Sequence, residues 1–230
     1  MFPHFEERPS DSPLVERIWM TQSERARSFT SIATVLWSMV ISKWRGHITI
    51  SLHGPETGAT CKAFPAEGEW FGIAFKLGTF MPHISPGSLI DGSSFLPSTS
   101  GRSFSLCHSA WQFPNYENAD TFVDQLVRSG ILVHDPVMSA IHQGQSPSLS
   151  LRTIQYRFLR STGLSQRTIR QIERARYATS LLKQGVSIFD TVCEAGYSDQ
   201  PHLTRSLKHF IGHTPAEIPT TPIIALHDSA

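Results

Sequence analysis

The side chains best suited to recognition chemistry are Arg and Gln residues in two short stretches near the end of the sequence. One stretch contains Arg152 and Gln155, and the other contains Gln200 and Arg205. An Arg side chain can donate two hydrogen bonds to guanine, and a Gln side chain can pair with adenine. The same side chains also serve simply to keep a helix face in water. The secondary-structure elements that carry these side chains are therefore needed to distinguish base recognition from simple solvation.

Charged residues are distributed unevenly along the chain, although its net charge is only +1. Residues 150–215 contain ten Lys and Arg but four Asp and Glu, whereas residues 1–149 contain ten basic and thirteen acidic side chains. A basic segment joined to a mildly acidic one suits a polyanionic partner for the basic end. Because solvated helix faces are often basic, the charge pattern alone does not establish such a partner.

Local signals predict two short helices and a tight turn over residues 187–211. Ser187 and Asp190 have the spacing of a helix start, and Gly196 supplies a helix stop. Ser198 is expected to cap the second helix, whose apolar side chains recur at helical spacing and predict its buried face. Those apolar side chains are Leu203, Leu207 and Phe210. Two short helices joined by a Gly-containing turn, the second with polar outer faces, form the helix-turn-helix pattern.

The same segment resembles the signature of the AraC/XylS family of bacterial transcription regulators. That family carries the pattern A-G-(F/Y)-S-D-Q-x-H-x-(T/S)-R, followed by G-x-T-P. The matching residues here are Ala195, Gly196, Tyr197, Ser198, Asp199, Gln200, His202, Thr204, Arg205, Gly212, Thr214 and Pro215. A match of this length and order is more specific than a helix-turn-helix pattern alone.

The resemblance continues upstream, so that it covers residues 135–215. Residues 150–158 and 162–165 resemble the family's first recognition helix and its exit, with Ser150 as the N-cap and Gly163 as the stop. Residues 166–184 resemble the long helix that connects the two units in this family. Its predicted inward side chains are Ile169, Ile172, Ala175, Ala178 and Leu182.

The resemblance implies that duplex DNA is the partner, with recognition helices over about residues 151–161 and 199–211 in successive major grooves. Two such helices must lie about one DNA turn apart, ~34 Å. The implied base contacts are Arg152, Gln155, Tyr156, Gln200, Pro201 and Arg205. The implied phosphate contacts are Arg157, Arg160, Arg170, Thr204 and Lys208. Simple solvation is the competing explanation for the polar and charged residues, and it is weakest for Gln200 and Arg205. For Tyr156 the competing explanation is partial packing under the domain.

Two departures from the family pattern concern the first unit. The segment between Gly144 and Ser150 is longer than a usual helix-turn-helix turn, and Tyr156 stands where the family often has a basic residue. We therefore expect the first unit to contribute less direct base reading than the second. In the second unit, Pro201 can make only apolar contact with a base, such as a thymine methyl group.

The sequence as a whole predicts an α+β protein. We expect a β-rich N-terminal domain over residues 1–130 with a helix at 118–130, an all-α domain with two helix-turn-helix units over 135–215, and a short tail over 216–230. Within the first domain, residues 34–53 predict a β-hairpin and residues 70–77 a half-buried strand. A fragment that begins near Asp135 is expected to fold alone and to bind DNA.

The resemblance also implies partners for the two domains. The β-rich domain is expected to bind a small-molecule effector or to form a homodimer, and RNA polymerase is a further partner of such regulators. The segment 118–130 would be a dimerisation or interdomain helix. Nothing in residues 1–117 matches a motif that names an effector.

Two other functions are compatible with the sequence. Residues 1–117 could form an enzymatic or metal-dependent domain for which DNA binding is a delivery device. The chain could also be an architectural protein without sequence preference, against which the Gln and Arg side chains argue. We expect no enzymatic activity, no cofactor and no metal site, because catalytic motifs are lacking and the N-terminal histidines do not have ligand spacing. Those histidines are His47, His53, His83 and His108.

The sequence also bears on the compartment and on cysteine chemistry. No apolar run approaches the roughly 20 residues that span a bilayer, and the start lacks the features of a signal peptide. We therefore expect a cytoplasmic protein that associates with the nucleoid through DNA and not with a membrane. Cys61, Cys107 and Cys193 are odd in number and far apart, so we expect free, buried thiols, with Cys193 between two helices.

Overall fold

A computed structural model describes residues 4–142, 144–145 and 148–220 of the chain. Among these residues, all the strands except one short strand precede the helices along the chain, which confirms the predicted α+β class. The strands are β1 His4–Arg8, β2 Val15–Ser23, β3 Arg27–Ser31, β4 Ser38–Trp44, β5 His47–His53, β6 Thr60–Phe64, β7 Gly68–Phe75, β8 Thr79–Phe80, β9 Ser93–Phe95, β10 Ser98–Ser100, β11 Ser103–Leu106, β12 Ser109–Gln112 and β13 Val133–His134. The helices are α1 Ala119–Arg128, α2 Pro136–His142, α3 Leu151–Thr162, α4 Gln166–Lys183, α5 Ile188–Glu194 and α6 Gln200–Phe210.

The chain forms two compact units, and each is assembled from separate stretches of sequence. The first unit contains residues 1–27, 36–55 and 64–164, and the second contains residues 28–35, 56–63 and 165–230. Helix α3 therefore belongs to the first unit and helix α6 to the second. The predicted domain boundary near residues 130–135, like the independent folding of a fragment from Asp135, stays a prediction.

The first unit is built on a six-stranded antiparallel sheet with the strand order β1-β2-β7-β4-β5-β9. Strands β4 and β5 form the predicted hairpin around Arg45 and Gly46. Both turn residues have positive φ angles, 49° and 78°, as a two-residue turn of type I′ requires. Strand β7 is the strand predicted within residues 70–77, but it is not half-buried as predicted, because both of its faces are buried from Phe71 to Phe75.

Apolar side chains of this sheet enter a hydrophobic core that also receives helix α1. Met39 and Ile50 of the hairpin and Phe122 and Leu126 of α1 are all buried in it. Complete burial of such a side chain stabilises the fold by about 1.5–3 kcal/mol. The same unit contains a three-stranded sheet of β10, β11 and β12 and the short pair of β8 with β13.

Helix α3 is fixed at both ends within the first unit. The Ser150 hydroxyl accepts a hydrogen bond from the Thr153 N–H at 3.2 Å, so the predicted N-cap is confirmed. Gly163 ends the helix with a φ of 75°, as predicted. A Cβ atom on Gly163 would lie 2.9 Å from the Gly87 backbone, so both the dihedral angle and the close approach require glycine there.

Helix α4 is the centre of the helical part of the second unit. Its predicted inward side chains are buried, and both α5 and α6 pack against it. The Ser187 hydroxyl caps α5 by accepting the Asp190 N–H at 3.1 Å, and Gly196 ends the following turn with a φ of 67°. Strands β3 and β6 pair with each other and lie mainly in this second unit.

The prediction of buried thiols is wrong. Cys61 and Cys193 are exposed and Cys107 is half-buried, and all three are free. The buried side of α5 runs through Thr191, Val192 and Ala195. Successive helical residues are rotated by about 100°, so Cys193 projects from the opposite side.

Parts of two sequence predictions lie outside the described residues. Residues 146–147, which belong to the long connection before Ser150, are among them. So is the segment 221–230 of the predicted tail.

Candidate DNA-binding surface

Helix α6 separates an apolar side from a polar side. The predicted stripe Leu203, Leu207 and Phe210 is buried. The predicted contact residues lie on the opposite side, where Gln200, Pro201, Arg205 and Lys208 are exposed and Thr204 is half-buried. Helical spacing places these five side chains within one outer face, from the first turn to the last.

The first turn of α6 is capped by Asp199, so the predicted cap at Ser198 is wrong by one residue. The Asp199 Oδ1 atom accepts the His202 N–H at 2.7 Å. This hydrogen bond holds the pKa of the Asp199 carboxyl below its ordinary value. A carboxylate at this position also complements the positive end of the helix dipole, which explains why the acid rather than the neighbouring hydroxyl takes the cap.

The turn between α5 and α6 is held by packing against α4. The Arg174 guanidinium of α4 lies 4.4 Å from the centre of the Tyr197 ring, and its Nη1 donates to the Gly196 carbonyl oxygen at 3.4 Å. The Tyr197 hydroxyl lies 2.9 Å from the Ser206 Oγ atom on α6. These contacts fix the angle at which α6 leaves the turn, and they make Arg174 a structural residue.

Helix α3 also presents predicted contact residues to solvent. Arg152, Gln155 and Tyr156 are exposed, and helical spacing places them on one side of the helix. Leu159 lies on the same side and is 52% exposed, and Leu151 at the helix start is 78% exposed. The outer face of α3 is therefore more apolar than that of α6.

Two basic side chains of α3 contact other residues of the first unit. The Arg157 Nη1 atom lies 2.7 Å from each carboxylate oxygen of Asp135. The Arg160 guanidinium lies 5.6 Å from the centre of the Phe80 ring, within the range of a cation–π contact. Both side chains were predicted to contact phosphates, and for Arg157 the Asp135 carboxylate competes with such a contact.

Residues 146–219 match a family model that is described as a helix-turn-helix domain. The matched stretch contains α3, α4, α5 and α6 in full. This part of the chain is an AraC-type helix-turn-helix domain. The AraC-type domain makes the chain a DNA-binding transcription regulator.

Two solved structures of ToxT from Vibrio cholerae are similar to the chain that carries this AraC-type domain. They are 12% and 11% identical in sequence to it, and each has a TM-score of 0.39. They cover 94% and 93% of this chain and 99% and 97% of the ToxT chain. In the second of them, ToxT is bound to a methylnaphthalenyl butenoic acid. A search of curated protein sequences finds no match.

Sequence reasoning missed two features of the AraC-type domain. The first is that Arg157 and Arg174 make contacts within the protein. No local sequence pattern distinguishes such Arg residues from basic residues that are simply exposed. The second is the pair of exposed leucines on α3, which helical periodicity alone could have identified as outward-facing. Arg170 of α4, another predicted phosphate contact, is exposed as expected.

Across the described ranges of the chain, no group of three His, Cys, Asp or Glu side chains is arranged to hold a metal ion. None of the helices in that same part of the chain has the length and apolar content that a membrane crossing requires.

Proposed function

We propose that this regulator binds duplex DNA sequence-specifically, with α3 and α6 as recognition helices in two successive major grooves. In this proposal Arg205 pairs with a guanine, Gln200 pairs with an adenine, and Pro201 contacts a thymine methyl group. Lys208 and Thr204 contact phosphates, which fix the position of the helix on the duplex without reading its sequence.

The observation that carries the proposal is the composition of the outer face of α6. Its first two turns expose an amide and a guanidinium, the two groups that form paired hydrogen bonds with bases, and its last turn exposes an ammonium. A general phosphate-binding surface would need only the cations. Gln200 is the first residue of α6. In helix-turn-helix proteins the N-terminal residues of the recognition helix contact the bases, so the Gln200 amide favours base recognition.

Helix α3 supports a second, weaker reading site. Arg152 and Gln155 are exposed on one side and repeat the pairing chemistry of α6, while Tyr156 offers an aromatic edge. Arg160 and Arg170 add positive charge, and Arg157 adds it once released from Asp135. The exposed leucines on α3 suit contact with thymine methyl groups rather than hydrogen bonding.

Selection of full-length protein on random duplex DNA tests this proposal. The expected result is two enriched blocks whose centres lie about 10–10.5 base pairs apart. Gln200→Ala should relax preference at one position of one block, and Gln155→Ala at one position of the other. Gln184→Ala, at an exposed position just after α4, is the matched control and should change neither block. Binding without any enriched sequence would instead identify an architectural protein.

A cavity in the first unit favours control by a small apolar effector. Trp37, Phe80, Met81 and Leu89 contribute its apolar walls, and Thr162 at the end of α3 closes one side. The cavity volume is only about 20 Å³, so a ligand must displace these side chains to enter. Because the cavity touches the end of α3, a ligand there would alter the support of a recognition helix directly.

The effector proposal is tested by thermal unfolding in the presence of a panel of small apolar acids and alcohols. A compound that raises the melting temperature of the natural sequence should not raise that of Leu89→Trp, which fills the cavity. Val127→Trp places the same ring at an exposed position of α1 and serves as the control. Equal stabilisation of all three proteins would place the compound elsewhere.

A further inference from the structure

Two segments from the first third of the sequence form part of the second unit. They are residues 28–35 and 56–63, and they carry most of strands β3 and β6. Besides the pairing of these strands, Thr34 and Glu56 exchange two backbone hydrogen bonds of 2.9 Å. We call this pair of segments the ribbon.

The ribbon binds the C-terminal end of α6 through backbone hydrogen bonds. The Ala33 N–H donates to the Phe210 carbonyl oxygen at 2.7 Å, and the Ala59 N–H donates to the His209 carbonyl oxygen at 2.8 Å. The last carbonyl groups of a helix have no partner within the helix and must find one elsewhere. Here two segments that are distant in sequence supply those partners.

Side-chain packing confirms that the ribbon and the end of α6 are in close contact. Gly212, which follows α6, has a φ of 84°, and a Cβ atom there would lie 2.8 Å from the Thr30 Cγ2 atom and 3.2 Å from the Ala59 Cβ atom. A Cβ atom on Gly58 would lie 3.5 Å from the His209 imidazole. The ribbon leaves no room for a side chain at Gly212.

The ribbon is itself held by a buried carboxylate. Glu56 is 5% exposed, accepts a hydrogen bond from the Ser31 hydroxyl at 2.8 Å, and forms an ion pair with Lys62. A carboxylate that is buried without partners costs free energy, so the Glu56 side chain stays where its two partners are. Glu56 therefore connects strand β3, through Ser31, to strand β6, through Lys62.

We propose that the ribbon is the positioning element of the second recognition helix. The helix-turn-helix core holds α6 along its buried stripe and at the Asp199 end, and the ribbon holds the Phe210 end. With both ends fixed, the axis of α6 is defined, and with it the placement of Gln200 and Arg205 against the bases. This inference rests on the proposed function, since it explains how α6 is held to read DNA.

The test compares Gly212→Ala with Gly185→Ala in the full-length protein. Gly185 follows α4 and has a φ of 86°, nearly that of Gly212, but a Cβ atom there meets nothing within 4 Å. The two variants therefore share the same backbone strain and differ only in contact with the ribbon. Hydrogen exchange at the Ala33 and Ala59 amides reports on the ribbon, and base preference within each enriched block reports on α6 and α3 separately.

Gly212→Ala should speed exchange at both amides about tenfold more than Gly185→Ala does, which corresponds to roughly 1.4 kcal/mol. It should also relax base preference in the block read by α6 and leave the block read by α3 unchanged. Glu56→Gln should act in the same direction without touching α6, and it keeps the test valid if Gly212→Ala does not fold.

Three outcomes separate the possibilities. If Gly212→Ala and Gly185→Ala behave alike in both measurements, the ribbon does not position α6. If the amides lose protection but base preference in both blocks is retained, the ribbon is a structural contact and the proposal is overturned. If no protein binds a preferred sequence but the amides respond as expected, the ribbon contact stands and the proposed function fails.

Discussion

The two proposed recognition helices of this regulator are supported in different ways. Helix α6 lies in a unit made largely of helices, and its outer face carries exposed Gln, Arg and Lys side chains. Helix α3 lies in the unit that contains the large β-sheet, two of its Arg side chains contact that unit, and leucines are exposed on its surface.

Two helices that belong to the same kind of motif therefore need not contribute equally to DNA binding. In α6 the cations are exposed to solvent, so in the proposed complex they reach DNA without rearrangement. In α3 Arg157 already has a carboxylate partner, and binding a phosphate means exchanging one charged partner for another. Helix α6 should therefore supply most of the affinity, and the contribution of α3 should depend on the state of the β-rich unit that contains it.

The largest expected effect tests whether α6 is held by its apolar stripe. Phe210→Ala should lower the free energy of unfolding by about 3–5 kcal/mol, the usual cost of truncating a buried Phe. Phe158→Ala, the equivalent change on α3, should cost about as much, because Phe158 is only 2% exposed. Denaturant unfolding measures both. A loss below about 1 kcal/mol for Phe210→Ala would mean that α6 faces the other way.

The next effect separates the two helices as readers of sequence. Arg205→Ala should weaken binding to the selected site by about 1–3 kcal/mol and relax preference at one base. Arg152→Ala should have a smaller effect, because α3 contributes less to base reading. Titration of labelled duplexes with single-base changes gives both values. Equal losses on every duplex would make Arg205 a backbone contact, with specificity left to Gln200, α3 or DNA shape.

A smaller effect concerns phosphate contacts on α6. Lys208→Ala should weaken binding to specific and unrelated DNA alike and lower the salt slope of log K by about one unit. Lys183→Ala, at the end of α4, removes a charge from a position with no predicted contact and is the control. Measurements at two salt concentrations suffice. If both variants leave the slope unchanged, Lys208 is only solvated.

The smallest effect would sharpen the difference between the helices by releasing Arg157. Asp135→Asn removes the carboxylate charge but keeps a side chain that can cap the Val137 N–H. Stability should fall by no more than about 1 kcal/mol, because the pair is partly exposed to solvent. The salt slope should rise by about one unit as Arg157 becomes available to phosphate. An unchanged slope would show that Arg157 does not reach DNA.

Local signals were sufficient to predict the helical part of the fold. Ser150 and Ser187 at helix starts, Gly163 and Gly196 at helix ends, and the stripe that ends at Phe210 are all features of a few consecutive residues. Such features act within one or two helical turns, so a single sequence contains them in full. The error at Ser198 arose because two adjacent residues can both cap a helix, and local pattern does not rank them.

Long-range contacts could not be predicted in the same way. Asp135 and Arg157 are ordinary charged residues until the fold places them together, and the ribbon joins residues near 33 and 59 to residues near 210. Neither contact has a periodic signal. The exposure of Cys193 could not be predicted for the same reason, because the elements that pack against a short helix determine which of its sides is buried.

The bond between Ala33 and Phe210 has a consequence for the synthesis of the protein. The two residues are 177 positions apart, so at a translation rate of about 5–20 residues per second the ribbon waits on the order of ten to thirty seconds for its partner. During that interval its backbone donors and strand edges are open to other chains, a state that favours aggregation and recruits chaperones. A chain truncated just before residue 210 contains strands β1 to β13 but lacks the end of α6 to which the ribbon binds.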